Sequence, residues 1–169
     1  RARLRPITVL CLAIVLMLAT GPAATASPSP DEKRVFVLLN QQRRAAGVKP
    51  LRWGGGLEKA ARQHSLDMVE NNFFSHVSPT KGTLVDRLRG AGLIRWKSIG
   101  ENLAHADAAE TAFALWLSLP AHKANMFKPG YTKVGIGVVR GGPPYGAMFT
   151  MDLAENPQRK ARDRNGKAD

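Results

Sequence analysis

Two imidazoles and one carboxylate stand on three separated segments of this chain. His76 closes Asn72-Phe73-Phe74-Ser75-His76, Glu101 sits inside Gly100-Glu101-Asn102, and His122 follows Trp116 in Ala121-His122-Lys123. Brought into one cleft, they could serve in several ways. Neutral imidazoles suit zinc or copper, and the carboxylate could complete a three-ligand site with one position left to water. Glu101 could instead hold the N–H of one ring, fixing its tautomer and leaving the other nitrogen as acceptor or base. A hydrolase of peptide or cell-wall material would use Glu101 as general base beside a metal. A buried His–Glu–His hydrogen-bond network that only joins the segments is the remaining reading, because buried polar groups need partners wherever they occur. The residue types leave all of these open, and the wide separations carry no signature such as the two-histidine helix motif of metalloproteases.

Neighbouring residues are less informative. His64 falls on the apolar stripe of a helix, which makes it a cleft-wall or core histidine and a further candidate ligand contact. His105 lies in a polar stretch and reads as exposed. Ser75 and Ser118 lack any nucleophile-elbow pattern, which argues against a serine hydrolase. Asp86 and Arg87 are consecutive on a short helix, about 100° apart, and cannot pair with each other. One of them is expected to pin the loop that bears His76.

The elements that must position these groups follow from periodicity. After Ser27-Pro28-Ser29-Pro30, Asp31 stands as a helix cap for a segment running to Ala46 with Val35, Leu38, Leu39, Ala45 and Ala46 inward, ended by Gly47. A hinge at Gly54-Gly55-Gly56 precedes the most regular helix, where Leu57, Ala60, Ala61, His64, Ser65, Met68 and Val69 share one face. Thr83 caps a short helix with Leu84, Val85 and Leu88 that stops at Gly90-Ala91-Gly92. Another helix begins near Asp107 with Ala109, Ala112, Phe113 and Trp116 inward, and Pro120 opens a short one through Phe127. Lys133–Arg140 and Tyr145–Asp152 alternate as two strands joined through Gly141-Gly142-Pro143-Pro144. Gly135 and Gly137 weaken a strand unless something packs closely on that face, which marks them as contact points. Helices early and a hairpin late give an α+β domain.

Compartment and charge narrow the function classes. Residues 1–26 read as a secretory signal peptide: a basic start, an apolar run too short to span a membrane, and a small-residue cleavage pattern ending at Ala26. Residues 27–30 form a linker, 31–156 one domain, and 157–169 a basic disordered tail. Removing the leader leaves 143 of the 169 residues, enough for one core, and lowers the formal charge from +12 to +9. The single cysteine, Cys11, goes with the leader, so packing alone must hold the mature domain. The tail suits attraction to an anionic cell-wall or membrane surface. Secretion and the lack of a groove-reading helix argue against nucleic acid as a partner. A secreted, extracellular monomer is expected.

The ordered segments Ala61-Arg62-Gln63-His64-Ser65 with Met68, Asn72 to His76, Asp86-Arg87, Gly100-Glu101-Asn102-Leu103-Ala104, Trp116 to Asn125, and Tyr131 to Gly137 resemble the CAP superfamily. These are the cysteine-rich secretory, antigen 5 and pathogenesis-related proteins, and the likeness is to their compact bacterial secreted branch. It covers residues 31–154. The resemblance implies an α-β-α sandwich with a large central cleft holding a His and Glu cluster, with His76, Glu101 and His122 at the matching positions. Leu119 stands where relatives carry Glu or Ser, so a triad is implied rather than a tetrad. It also implies a secreted domain that binds an extracellular ligand, such as a lipid, glycan or peptide, with a divalent metal such as zinc at His76 and His122 as an optional cofactor.

Overall fold

The structure is a computed structural model and describes residues 27–141 and 146–157. The expected leader, residues 142–145 of the hairpin connection and nearly all of the basic tail lie outside the described residues. Within them the chain runs α1 (Pro30–Ala45), β1 (Arg52–Trp53), α2 (Gly55–Glu70), α3 (Leu84–Gly90), β2 (Ser98–Ala106), α4 (Ala109–Ser118), α5 (Pro120–Phe127), β3 (Lys133–Arg140) and β4 (Ala147–Glu155). The sheet order is β1-β3-β4-β2, with β1 parallel to β3 and the other pairs antiparallel.

Because successive strand residues leave on opposite faces, β3 and β4 sort their side chains into two layers. Val134, Ile136, Phe149, Met151 and Leu153 join Val35, Leu39, Ala112, Phe113, Trp116 and Met126 under α1, α4 and α5. On the other face, Ala154 packs with Leu57, Ala60 and Leu88, and Met148 packs with Met68 and Leu103, under α2 and α3. The result is the expected α+β architecture, an α-β-α sandwich.

The glycines of β3 explain how α2 seats on the sheet. A Cβ at Gly135 would lie 2.0 Å from the Glu58 amide nitrogen, and one at Gly137 2.2 Å from that of Arg62. The helix backbone therefore rests directly on bare strand, as their sequence positions suggested. Arg43 of α1, wholly buried, donates to the Lys49 carbonyl at 2.8 Å and to the Met126 carbonyl at 2.6 Å, tying α1 to the C-terminal turn of α5.

Several local expectations are corrected. Ser29, not Asp31, caps α1: its hydroxyl accepts the Glu32 amide, and the Glu32 carboxylate accepts the Ser29 amide at 2.6 Å. This capping box needs an acid three residues after the cap, a spacing that Ser29 and Glu32 satisfy. Ala45 and Ala46 are exposed, and the inner face of α1 carries Glu32, Asn40 and Arg43 instead. Gly55 and Gly56 belong to the first turn of α2 rather than to a hinge. β4 continues past Asp152 to Glu155, and β2, for which no strand was expected, runs for nine residues around Glu101.

The contact at Gly137 has a measurable cost. Gly137→Ala would push a methyl into the backbone of α2, which cannot yield as a side chain can, and should destabilise the domain by at least about 1–3 kcal/mol. Gly55→Ala meets nothing within 4 Å and should be neutral or slightly stabilising. Urea unfolding of both variants checks this: the midpoint should fall for Gly137→Ala alone, and equal midpoints would remove the close-approach account.

Candidate functional site

β2 lies at the free edge of the sheet, and its alternation sends consecutive residues to opposite layers. Glu101 points to the α3 side, and Asn102 points to the α5 side. The Asn102 amide donates to the His122 carbonyl at 3.0 Å, and its oxygen accepts from Asn125 at 3.0 Å. Two carbonyls of β2 are also met by side chains of the other layer: Asn125 donates to Glu101 O at 3.3 Å, and Trp116 donates through Nε1 to Leu103 O at 2.8 Å. The outer edge of β2 is thereby stitched to α4 and α5.

Glu101 is the centre of the cluster. Its side chain is 3% exposed, with Oε1 accepting from His76 Nδ1 at 2.8 Å and Oε2 accepting from the Arg87 Nη2 group. Burial works against the ionised form, but the His76 hydrogen bond and the Arg87 charge more than offset it and hold the carboxyl below its usual range. Arg87, 2% exposed, also donates to His76 O at 2.9 Å and Gly82 O at 3.0 Å. The guanidinium thus pins the His76 loop, as expected of the Asp86-Arg87 pair. Asp86 instead completes a capping box with Thr83.

The loop itself is anchored by two residues of α2. His64 is wholly buried, and its Nε2–H donates to Ser75 O at 3.0 Å. A carbonyl partner fixes the proton on Nε2, while Nδ1 is buried without a partner. Burial pushes the His64 pKa down. Asp67, 4% exposed, accepts from Asn71 at 2.7 Å, from Thr80 at 2.8 Å and from Ser78. Burial raises its pKa, but these hydrogen bonds more than offset that and keep the carboxylate ionised. Sequence reading missed Asp67, although it lies one turn beyond His64 on the same inward face.

His76 remains more than half exposed at 57% of its side chain. Its hydrogen bond to Glu101 raises its pKa above the ordinary histidine value, and burial opposes this only in part. His122 goes the other way: burial lowers its pKa, and the nearby charge of His76 lowers it further. His122 Nδ1 is buried with no partner. The structure therefore brings His76 and Glu101 into contact and His122 within reach of their field, with His64 behind the loop rather than among them. His105, expected in solvent, is half-buried with its Nε2 enclosed and unpartnered. Facing Glu101 in the β2–β4 register stands Asp152, fully buried. Burial, then the Glu101 charge, raise its pKa well above the usual range.

As a metal centre the donor set is thin. Among the described residues no group of three or more His, Cys, Asp and Glu is arranged to hold an ion, and each Glu101 oxygen already accepts one hydrogen bond. His76 and His122 are the imidazoles left for zinc, so the three-ligand arrangement with Glu101 does not fit this geometry.

The opposed histidine shifts give a pH signature. The stabilisation from the His76–Glu101 contact is complete below the unfolded histidine pKa of about 6.5 and is lost as pH rises through the higher folded value. His64, depressed, stabilises above about 6.5 and loses that contribution as pH falls through its lower folded value. Histidine NMR titration should place His76 above, and His64 and His122 below, the ordinary midpoint. Glu101→Gln should bring His76 down and cost about 3–5 kcal/mol by leaving Arg87 buried without its counter-charge. An unchanged His76 midpoint in that variant would break the assignment.

Comparison with known proteins agrees with this fold. The chain matches the Cysteine-rich secretory protein family, CAP, over residues 36–153. It is 36% identical over 131 residues to the YkwD protein of Bacillus subtilis, covering 77% of this chain and 51% of that one. An extracellular protein of Bacillus anthracis with an SCP domain superposes with a TM-score of 0.62 at 33% identity, over 75% of this chain and 40% of that chain. An outer surface protein of Borrelia burgdorferi shares the fold, with a TM-score of 0.68 at 19% identity, over 75% and 93% of the two chains. The chain spans about half the length of YkwD and less of the anthracis protein. No helix among the described residues is long and apolar enough to cross a membrane. With the sandwich, the edge-strand Glu101 and the family match over most of its length, the chain belongs to the cysteine-rich secretory protein family, CAP, whose members similar to it include extracellular bacterial proteins.

Proposed function

We propose that this chain acts outside the cell as a binding domain for an amphipathic, lipid-type ligand, with a polar head near His76 and an apolar body against the neighbouring aromatic loop. The observation that carries this reading is one juxtaposition. His76 is held by an ionised, buried Glu101, and the residues just before it, Phe73 and Phe74, line a hollow of about 350 Å³ with Asn72, His105 and Met148. That volume is at the lower end of ordinary small-molecule sites, which combine apolar walls with a few polar groups. Phe74 is 54% exposed and Val77 57%, while Leu119, beside the helix that carries His122, is 50% exposed. A ring favouring its charged form, next in sequence to exposed Val77 and two residues after exposed Phe74, suits a ligand with an acidic or hydrogen-bond-accepting head and a hydrocarbon body.

The same geometry weighs against hydrolysis. Glu101 would have to leave a buried ion pair with Arg87 before taking a proton from water. Ser118 donates to the Leu115 carbonyl and Ser75 accepts the Val77 amide, so both hydroxyls serve local backbone turns. Export, expected from residues 1–26, and attachment to anionic wall or membrane material through residues 157–169 belong to the same proposal.

Titration of the purified domain with a fluorescent long-chain fatty acid tests the ligand class. Saturable binding is expected, weakened about tenfold, or about 1.4 kcal/mol, by His76→Ala and by Phe74→Asp. Absence of saturable binding, or equal affinity in both variants, would overturn the lipid reading. Mass spectrometry of compounds that co-purify would show whether a glycan or a peptide takes its place.

A further inference from the structure

Behind the Glu101, His76 and Arg87 group lies a carboxyl that has no role so far. Asp152 is fully enclosed and sits opposite Glu101 in register, and among the described residues no N–H or O–H donor meets either of its oxygens. Ionised, it would be a buried charge without a partner facing a second negative charge, and two carboxylates sharing a site do not both ionise. Glu101 holds the donors, Arg87 and His76, so Glu101 takes the charge. Those two contacts use one acceptor position on each oxygen, and a carboxylate offers about four. Two acceptors that face one another need a proton between them, and Asp152 can supply it.

Other titratable groups surround the pair. Glu101 faces the site from β2, Arg87 from α3, and His76 from the 71–83 loop. From α2, His64 couples to Glu101 and holds Ser75 O through Nε2, and Glu58 turns away to Trp53 and Arg62. β3 contributes Gly135 opposite Asp152, which has no side chain.

We propose that Asp152 is a protonated positioning residue whose carboxyl O–H donates to Glu101. This contact fixes the rotation of the Glu101 carboxylate, so that one oxygen stays on Arg87 and the other on His76 Nδ1–H. Asp152 touches no ligand and acts through Glu101 alone. The sequence pattern lacks a second acid near His122, where Leu119 stands, and β4 supplies one from beneath. This reading is independent of what the domain binds.

Carboxyl-carbon NMR titration of the unaltered protein is the first test. The Asp152 carbon should show no inflection from about pH 4 to about pH 8, and an inflection near pH 4 would overturn the proposal. Asp152→Asn keeps a donor, so His76 should retain its titration midpoint and the nitrogen shifts of an Nδ1–H tautomer. Relative to the unaltered protein, the folding equilibrium of that variant should match near pH 4 and improve about tenfold per pH unit above it, because only the acid must retain a proton on folding. A drop in the His76 midpoint on Asp152→Asn would mean that Asp152 carries a charge and would sink the idea. Asp152→Leu removes the donor and should mix the His76 tautomers, whereas an unchanged tautomer would reduce Asp152 to a space-filler. If the leucine variant does not fold, the titration of the unaltered protein and the asparagine variant decide.

Discussion

A carboxylate almost sealed from water must be given its hydrogen bonds by the protein, and Glu101 draws them from places far apart in the chain. Arg87 comes from a helix and His76 from a loop, and both converge on an edge strand. The cost of burying that charge is recovered only if every partner is in place, so the loop, α3 and β2 form a cooperative unit. Arg87 reinforces this by holding the His76 carbonyl with the same guanidinium that holds Glu101. A lysine could not reach these acceptors at once, because its donors radiate from a single nitrogen.

The loop from Asn71 to Thr83 has no helix or strand of its own, yet its course is determined at both ends. Asp67 organises Asn71, Ser78 and Thr80, His64 holds Ser75, and the Ser78–Gly82 bridge closes the far end. Polar groups on the inward face of α2 thus do for this segment what a sheet ladder does for a strand. Phe74 and Val77 stand in solvent while the Ser75 and His76 carbonyls are held from α2 and α3, which is the rigid support that the proposed binding surface calls for.

Much of this was legible from residue patterns, and the gaps have physical causes. The existence and inner faces of α2 and α4 were legible, though not their first residues, because their apolar buried positions follow helical spacing. The contact between His76 and Glu101 followed from the family resemblance, and the Asp86-Arg87 pair marked a pin for the loop without saying which of the two supplies it. β2 escaped notice because Glu101, Asn102 and His105 break the apolar alternation that announces a strand. Each is nonetheless turned toward a specific partner or enclosed, so the interruptions are the site itself. Asp152 was read only as the end of an alternating strand, with no sign that its face is covered. α2 covers that face, which only the bare backbone at Gly135 and Gly137 makes possible.

The edge strand carries two unrelated tasks on adjacent residues, with Glu101 serving one layer of helices and Asn102 the other. What separates them is parity. Losing or gaining a single residue between Ser98 and Gly100, with pairing to β4 otherwise kept, would exchange the two side chains, sending an acid toward α5 and an amide toward Arg87. The segment can therefore drift in composition during evolution far more readily than in length.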